Sequence, residues 1–190
     1  MKAGEASNLY RSPSTGNKVL DYASAHSTPL DDKLVAFHAR AAEGRQDSRM
    51  LSSNAQSQVH GFLARMIGAK RGCSSLPTLH PNHPYDIVFL DANKEGYITY
   101  LTTLLDKSPP SSTTGRFLRP GALIIADNVL RSGLVADDSL PLEGEGRSEE
   151  NWRSHIKAIR EFNDACLRNE RLETVMLPLW DGVSLLRLKD

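Results

Sequence analysis

The stretch YDIVFLDANKEGY, Tyr85 to Tyr97, decides the reading of this chain. Its apolar run Ile87–Leu90 has the length and the β-branched and aromatic content of a buried strand, and it stops abruptly on Asp91, followed by Asn93 and Lys94. From Lys94 to Lys107 the residues Tyr97, Leu101, Leu104 and Leu105 fall on one helical face. A strand followed by a helix is the repeating element of an α/β sheet.

Downstream, GALIIADN (Gly121–Asn128) reads as a second apolar strand that also ends in acid and amide, Asp127 and Asn128. After a loop from Arg131 to Glu149 rich in Gly, Pro and acids, Trp152, Ile156, Ile159, Phe162 and Cys166 mark a helix. RLETVMLPL and DGVSLLRLK, joined by a tight PLWDG turn, predict an antiparallel hairpin at the edge of the sheet.

Upstream stand three predicted helices. Asn17–His26 is the first. The second begins at STPLDD, with Thr28 as N-cap, Pro29 at the first helical position, Asp31 three residues after the cap, and Gly44 as the stop. The third has Ser52, Ser53 and Asn54 as caps and Val59, Phe62, Leu63, Met66 and Ile67 as one buried stripe. The polar, Ser-, Gly- and Pro-rich start predicts a flexible tail over residues 1–17 on a single domain spanning 1–190.

Charge balance is exact in count, 23 basic against 23 acidic residues, and no Lys/Arg run or basic stripe stands out. Attraction to nucleic acid or to an anionic membrane is therefore not indicated, and the expected partner is a small molecule. Cys73 and Cys166 fit neither a disulfide framework nor a CxxC metal spacing, which predicts reduced thiols in the cytoplasm. No secretory leader or membrane-spanning apolar segment is legible.

In open α/β sheets, ligands bind beyond the carboxyl ends of parallel strands. If the strands ending at Asp91 and at Asp127–Asn128 are neighbours, about 4.8 Å apart, two carboxylates and an amide oxygen converge. Such hard oxygens suit Mg²⁺, Ca²⁺ or Mn²⁺ rather than Zn²⁺. The alternative is that the two aspartates simply cap the following helix and turn. Lys94 adds a group able to take a proton or steady an anion. His80 and His83 also suggest a metal pair, though the prolines around them favour an ordinary loop.

YDIVFLDANKEGYITYL, LRPGALIIADNVLRSGLV and LPLWDGVSLLRLK, with DSRMLSSNAQSQVHGFLARMIGAKR before them, resemble the class I metal-dependent, AdoMet-dependent O-methyltransferases. That family contains the caffeoyl-CoA and catechol O-methyltransferases, and the likeness runs from about Val19 to the end. It implies a Rossmann-like three-layer α/β fold with N-terminal helices and a C-terminal antiparallel hairpin. It also implies that Asp91, Asp127 and Asn128 are ligands of a divalent metal such as Mg²⁺, and that Lys94 is the catalytic lysine beside the reacting hydroxyl. Ser52 and Asp91 fall at cofactor-binding positions, and Asn93 and Ser132 at substrate-binding ones. Asn93 stands where many members have Asp, and Ser57 where many have Gly.

The implied reaction is methyl transfer from S-adenosylmethionine to a hydroxyl of a catechol-like acceptor. A free phenol has a pKa near ~10, so a metal that lowers it supplies the nucleophile.

One segment of that pattern is absent. The family's first strand should end in an acid and a glycine turn that lets the backbone approach the cofactor. Here GCSSLPTLHPNHP follows Arg71, too short for a βαβ unit of roughly 30 residues. The fold is accordingly expected to be incomplete, with its first three strands missing and the YDIVFL strand left as an unpaired apolar edge. Either the chain is a shortened product that keeps the metal and acceptor motifs, or another chain, in a homodimer or a pairing with a full-length homologue, supplies the lost half. A non-catalytic binding or regulatory module and a metal-dependent hydrolase are the competing functions, the second lacking a nucleophile and a phosphate-cradling loop.

Overall fold

Alternating aliphatic residues in the C-terminal two thirds build a mixed sheet, seen in a computed structural model that describes residues 12–43, 52–73, 83–112, 114–137, 139–140 and 148–190. The described residues fall into two units, Met1–Met66 and Ile67–Asp190.

The first unit is helical: α1 (Pro13–Ala25), α2 (Asp32–Ala42) and α3 (Asn54–Met66). α1 starts inside the predicted tail, because Ser12 caps it, its Oγ accepting from the Thr15 N–H at 3.1 Å. α2 starts later than predicted: Asp31, not Thr28, is the cap, its carboxylate accepting from the Lys33 N–H at 2.8 Å. A charged acceptor so close to the first turn outcompetes a hydroxyl three residues upstream. Gly44, the predicted stop, lies outside the described residues. Ser53 is the residue among the three predicted caps whose side chain serves α3, accepting from the Gln56 N–H at 3.1 Å.

The predicted α3 stripe is not buried: Phe62 is 60% and Met66 64% exposed, while Gln56 is the buried residue of the helix. Periodicity sets which residues share a face, but burial needs a packed neighbour, which a local pattern does not encode.

The second unit holds β1 (Gly72–Cys73), β2 (Tyr85–Leu90), a 3₁₀ turn at Lys94–Gly96, α4 (Tyr97–Asp106), β3 (Leu118–Asp127), α5 (Glu149–Arg168), β4 (Leu172–Leu177) and β5 (Val183–Leu188). Strand order is β1-β2-β3-β5-β4, with β1, β2 and β3 parallel and β5 antiparallel to both β3 and β4. The predicted hairpin is thus present, with β4 at the edge. The YDIVFL strand, by contrast, is not left unpaired. β1 runs beside it with Gly72 opposite Ile87 and Cys73 opposite Val88, so the segment after Arg71 supplies a two-residue first strand where none was expected.

Register gathers the core on one face. Val88 and Leu90 of β2, Ala122, Ile124 and Ala126 of β3 and Leu186 and Leu188 of β5 are buried together, as residues two apart on a strand must share a side. Onto them pack Tyr97, Leu101, Leu104 and Leu105 of α4 and Ile159, Phe162 and Cys166 of α5, the stripes read from the sequence. Phe162 meets Tyr97 edge to face, centroids 5.1 Å apart.

At the amino end of β2, buried Asp86 ties the entrance of β1 to β3. Its carboxylate accepts from the Lys70 N–H (2.9 Å), the Arg71 N–H (2.8 Å) and the Arg119 guanidinium. Burial raises its pKa, but the Arg119 hydrogen bond, the two amides and the Arg119 charge outweigh that and hold it below the usual carboxylate value. No helix among the described residues is long and apolar enough to cross a membrane.

Candidate functional site at the strand ends

Leu90 of β2 is paired with Ala126 of β3, so Asp91 and Asp127 stand one residue further along adjacent parallel strands, side by side at their carboxyl ends. Asp127 is buried and Asp91 exposed. Asn128 follows in the left-handed region, φ 59°, a conformation that Asn tolerates better than most residues, and is itself buried.

Asp91 does not cap the following turn. Asn93 does, its Oδ1 accepting from the Glu95 N–H at 3.4 Å, while the Asp91 Oδ1 accepts from the Lys94 ammonium at 3.0 Å. Asp127 Oδ1 accepts from the Asn128 N–H at 2.8 Å.

Lys94 is 7% exposed, and each of its three protons has an acceptor: Asp91 Oδ1, the Tyr97 hydroxyl at 2.6 Å and the Asp127 carbonyl at 3.3 Å. Burial lowers its pKa, a shift that Asp91 and Asp127 oppose and Arg131 reinforces. Tyr97 in turn offers its one proton to the Leu90 and Asp127 carbonyls, both at 2.9 Å. The hydroxyl therefore binds the last residue of one strand to the last residue of the next and holds Lys94 between them. Burial, with the charges of Asp91 and Asp127, pushes the Tyr97 pKa above its ordinary value, so it serves as a neutral donor.

The loop after β3 is held from two sides. From α5, Asn163 Nδ2 donates to the Val129 carbonyl (3.0 Å) and Arg160 Nε to the Val135 carbonyl (2.8 Å). From the β4–β5 turn, Asp181 accepts from Asn128 Nδ2 at 3.0 Å and from the Ser132 N–H. The Arg131 guanidinium lies 4.8 Å from the centroid of the Trp152 ring.

Of the sequence candidates, the fold thus brings Asp91, Lys94, Asp127 and Asn128 together. Asn93 and Ser132 are exposed residues of the adjoining loops, their recorded bonds being local ones. Ser52 is half-buried just before α3, in the other unit. His83 is exposed and His80 lies outside the described residues. Tyr97, Asn163 and Asp181 were not singled out as site residues. Tyr97 reads locally as core, and Asp181 as ordinary Asp-Gly turn chemistry.

The donors present are two carboxylates and one carboxamide. No group of three or more His, Cys, Asp or Glu side chains gathers at one point among the described residues.

The O-methyltransferase family profile matches residues 69–189. Among curated relatives, the chain is 37% identical over 101 residues to the probable caffeoyl-CoA O-methyltransferase 1 of Dictyostelium discoideum, covering 53% of this chain and 35% of that protein. It is 27% identical over 177 residues to the catechol O-methyltransferase of Niastella koreensis, covering 87% and 66%. In the O-methyltransferase ankF of Aspergillus thermomutatus the match spans 41% of the relative, so the chain spans less than half the length of several curated relatives it matches. The SAH-bound methyltransferase PaMTH1 of Podospora anserina superposes with a TM-score of 0.75 at 21% identity, over 93% of this chain and 96% of that one. The O-methyltransferase TomG of Streptomyces achromogenes, solved with SAM, gives 0.64 at 18% identity, over 90% and 96%. At these identities the structures carry the fold, and the profile over residues 69–189 carries the family: the chain belongs to the O-methyltransferases.

Proposed function

We propose that this chain carries the metal and acceptor half of an AdoMet-dependent O-methyltransferase centre for a catechol-like acceptor, in which Asp91, Asp127 and Asn128 would hold a divalent cation. The observation that supports it most is the Leu90–Ala126 register, which sets two carboxylates and an amide at the ends of neighbouring strands with a buried lysine between them. The donor set fits a hard cation, Mg²⁺ above all, since every candidate ligand is oxygen. When bound, such a cation supplies Lewis acidity that lowers the pKa of a coordinated hydroxyl.

The chain's own residues do the rest. Lys94, its ammonium fixed by Asp91, Tyr97 and the Asp127 carbonyl, keeps a positive charge beside the site where an acceptor oxygen loses its proton. Its pKa is lowered, chiefly by burial, so the ammonium gives up a proton more readily than an exposed lysine does, and only the neutral amine so formed can take the acceptor's proton. Tyr97 prevents the lysine from swinging away, and Asn93 and Ser132 border the acceptor. The cytoplasm, where Cys73 and Cys166 stay reduced, is the compartment this reading assigns.

The glycine turn by which the family's backbone approaches AdoMet is not legible in the sequence between β1 and β2. Residues 74–84, which separate β1 from β2, contain no glycine and no acid and are too few for a βαβ unit. That observation favours a second reading: a binding or regulatory module that keeps the cation and acceptor site and pairs with a second copy or a full-length homologue.

Calorimetric titration separates the two. Saturable one-to-one AdoMet binding in the presence of Mg²⁺ supports the enzyme, whereas Mg²⁺ binding without AdoMet binding supports the module. Asp127→Ala should abolish Mg²⁺ binding, and an unchanged isotherm in that variant would overturn the metal site in both readings.

A further inference from the structure

We propose that Asp181, in the turn between β4 and β5, is a positioning residue of the strand-end site: its carboxylate orients the Asn128 amide so that Oδ1, and not the NH₂ group, is offered to a cation. Its consequence rests on the metal reading above, but its geometry does not.

The two oxygens of Asp181 grip the loop after β3 at both ends of its first turn. Oδ2 accepts from Asn128 Nδ2 at 3.0 Å and Oδ1 from the Ser132 N–H. Main-chain bonds run beside them, Leu130 N–H to the Asp181 carbonyl at 3.0 Å and Val129 N–H to the Gly182 carbonyl at 3.1 Å. The turn is thus docked on the loop by backbone as well, and the carboxylate divides its two oxygens between the Ser132 N–H and the Asn128 amide.

Chemistry sets the orientation. The oxygen and nitrogen of a carboxamide are nearly the same in size, so shape alone does not choose between the two flips. An ionised carboxylate accepts and never donates. Facing Asp181, Asn128 presents its NH₂, and Oδ1 is turned away from the acid as a free ligand oxygen. This is the service that outer carboxylates give to ligating side chains, whose removal typically costs 10–100-fold in metal affinity.

Backbone strain points to the same place. Every non-glycine residue with positive φ among the described residues lies in these two loops: Asn128 (59°), Arg131 (46°), Ser132 (55°) and Trp180 (57°). Such conformations persist only where surrounding structure holds them, and they gather at functional sites.

The test uses the full chain and Mn²⁺ as probe, titrated by the electron paramagnetic resonance signal of the free ion. Asp181→Asn keeps size and shape but brings its own NH₂, so the amide at 128 is no longer held in one flip. Mn²⁺ affinity should fall about 10–100-fold while the urea midpoint changes little. The double variant Asn128→Asp, Asp181→Asn exchanges the partners, keeping the hydrogen bond and an oxygen ligand. It should recover affinity to within a few-fold of wild type.

In the metal-free protein, the Asn128 side-chain NH₂ signals in a ¹⁵N spectrum should move on Asp181→Asn. Wild-type affinity in Asp181→Asn, or a loss that the partner swap does not restore, overturns the proposal. If the wild-type chain takes up no Mn²⁺, the metal reading falls. The Asn128 signals alone then decide, and unmoved signals refute the orienting role.

Discussion

The hydroxyl of Tyr97 accepts from the Lys94 ammonium at 2.6 Å and reaches the carbonyls of both Leu90 and Asp127 at 2.9 Å. One phenol thus bridges the ends of β2 and β3 and the lysine between them. Tyr97→Phe keeps the ring on Phe162 and removes only that bridge. The expected cost is about 1–3 kcal/mol in urea unfolding, the penalty for buried groups left without a partner. Equal stability of variant and wild type would mean that the two carbonyls and the lysine are satisfied without the phenol.

Acid should act on the opposite end of the sheet. The Asp86 pKa is lowered in the folded chain, so its contribution is present above the unfolded carboxylate value of about 3.9 and is lost as pH falls through the lower folded value. Asp86→Asn, which retains the shape but not the charge facing Arg119, should cost about 2 kcal/mol at pH 6, in the range of a hydrogen bond to a charged group. The gap between variant and wild type should close as pH falls below about 4, through the lowered folded value. Unfolding curves at each pH check this, and a gap independent of pH would deny Asp86 its ionised role.

Gly182 carries the β4–β5 turn against the loop after β3, with φ at 81°. A Cβ there would meet Leu130 Cγ at 2.5 Å and Leu130 N at 2.7 Å. Gly182→Ala therefore combines a left-handed alanine, costing roughly 1–2 kcal/mol, with a clash against main chain that cannot swing aside. A drop of more than about 2 kcal/mol in unfolding free energy, with weaker Mn²⁺ uptake, is the expected result. Unaltered Mn²⁺ affinity in a destabilised variant would show that the turn supports the fold but not the site.

How far the sequence reached differs from element to element. The stripes Tyr97, Leu101, Leu104, Leu105 and Trp152, Ile156, Ile159, Phe162, Cys166 are legible, and the fold buries all of these residues but Trp152, which is half-buried, because the sheet core offers both helices a continuous apolar face. The same pattern in α3 misled: Phe62 and Met66 have helical spacing but stand exposed. Cap positions slipped for a similar reason. Thr28 and Asp31 both qualify as caps by residue type, and the charged acceptor nearer the first turn is the one the helix uses.

By itself, the sequence determined the α/β class, the two acid-ended strands and the terminal hairpin, since each is written in residues close together or in a pattern of period two or 3.6, and its resemblance to the O-methyltransferases pointed to the family that the profile over residues 69–189 shows. Tertiary structure alone decided that Gly72 and Cys73 pair with Ile87 and Val88, that Lys94 lies between two strand ends, and that Asp181 faces Asn128. Those contacts join positions far apart in the chain, and they exist only once strand register and loop conformation bring the groups within a hydrogen bond's reach.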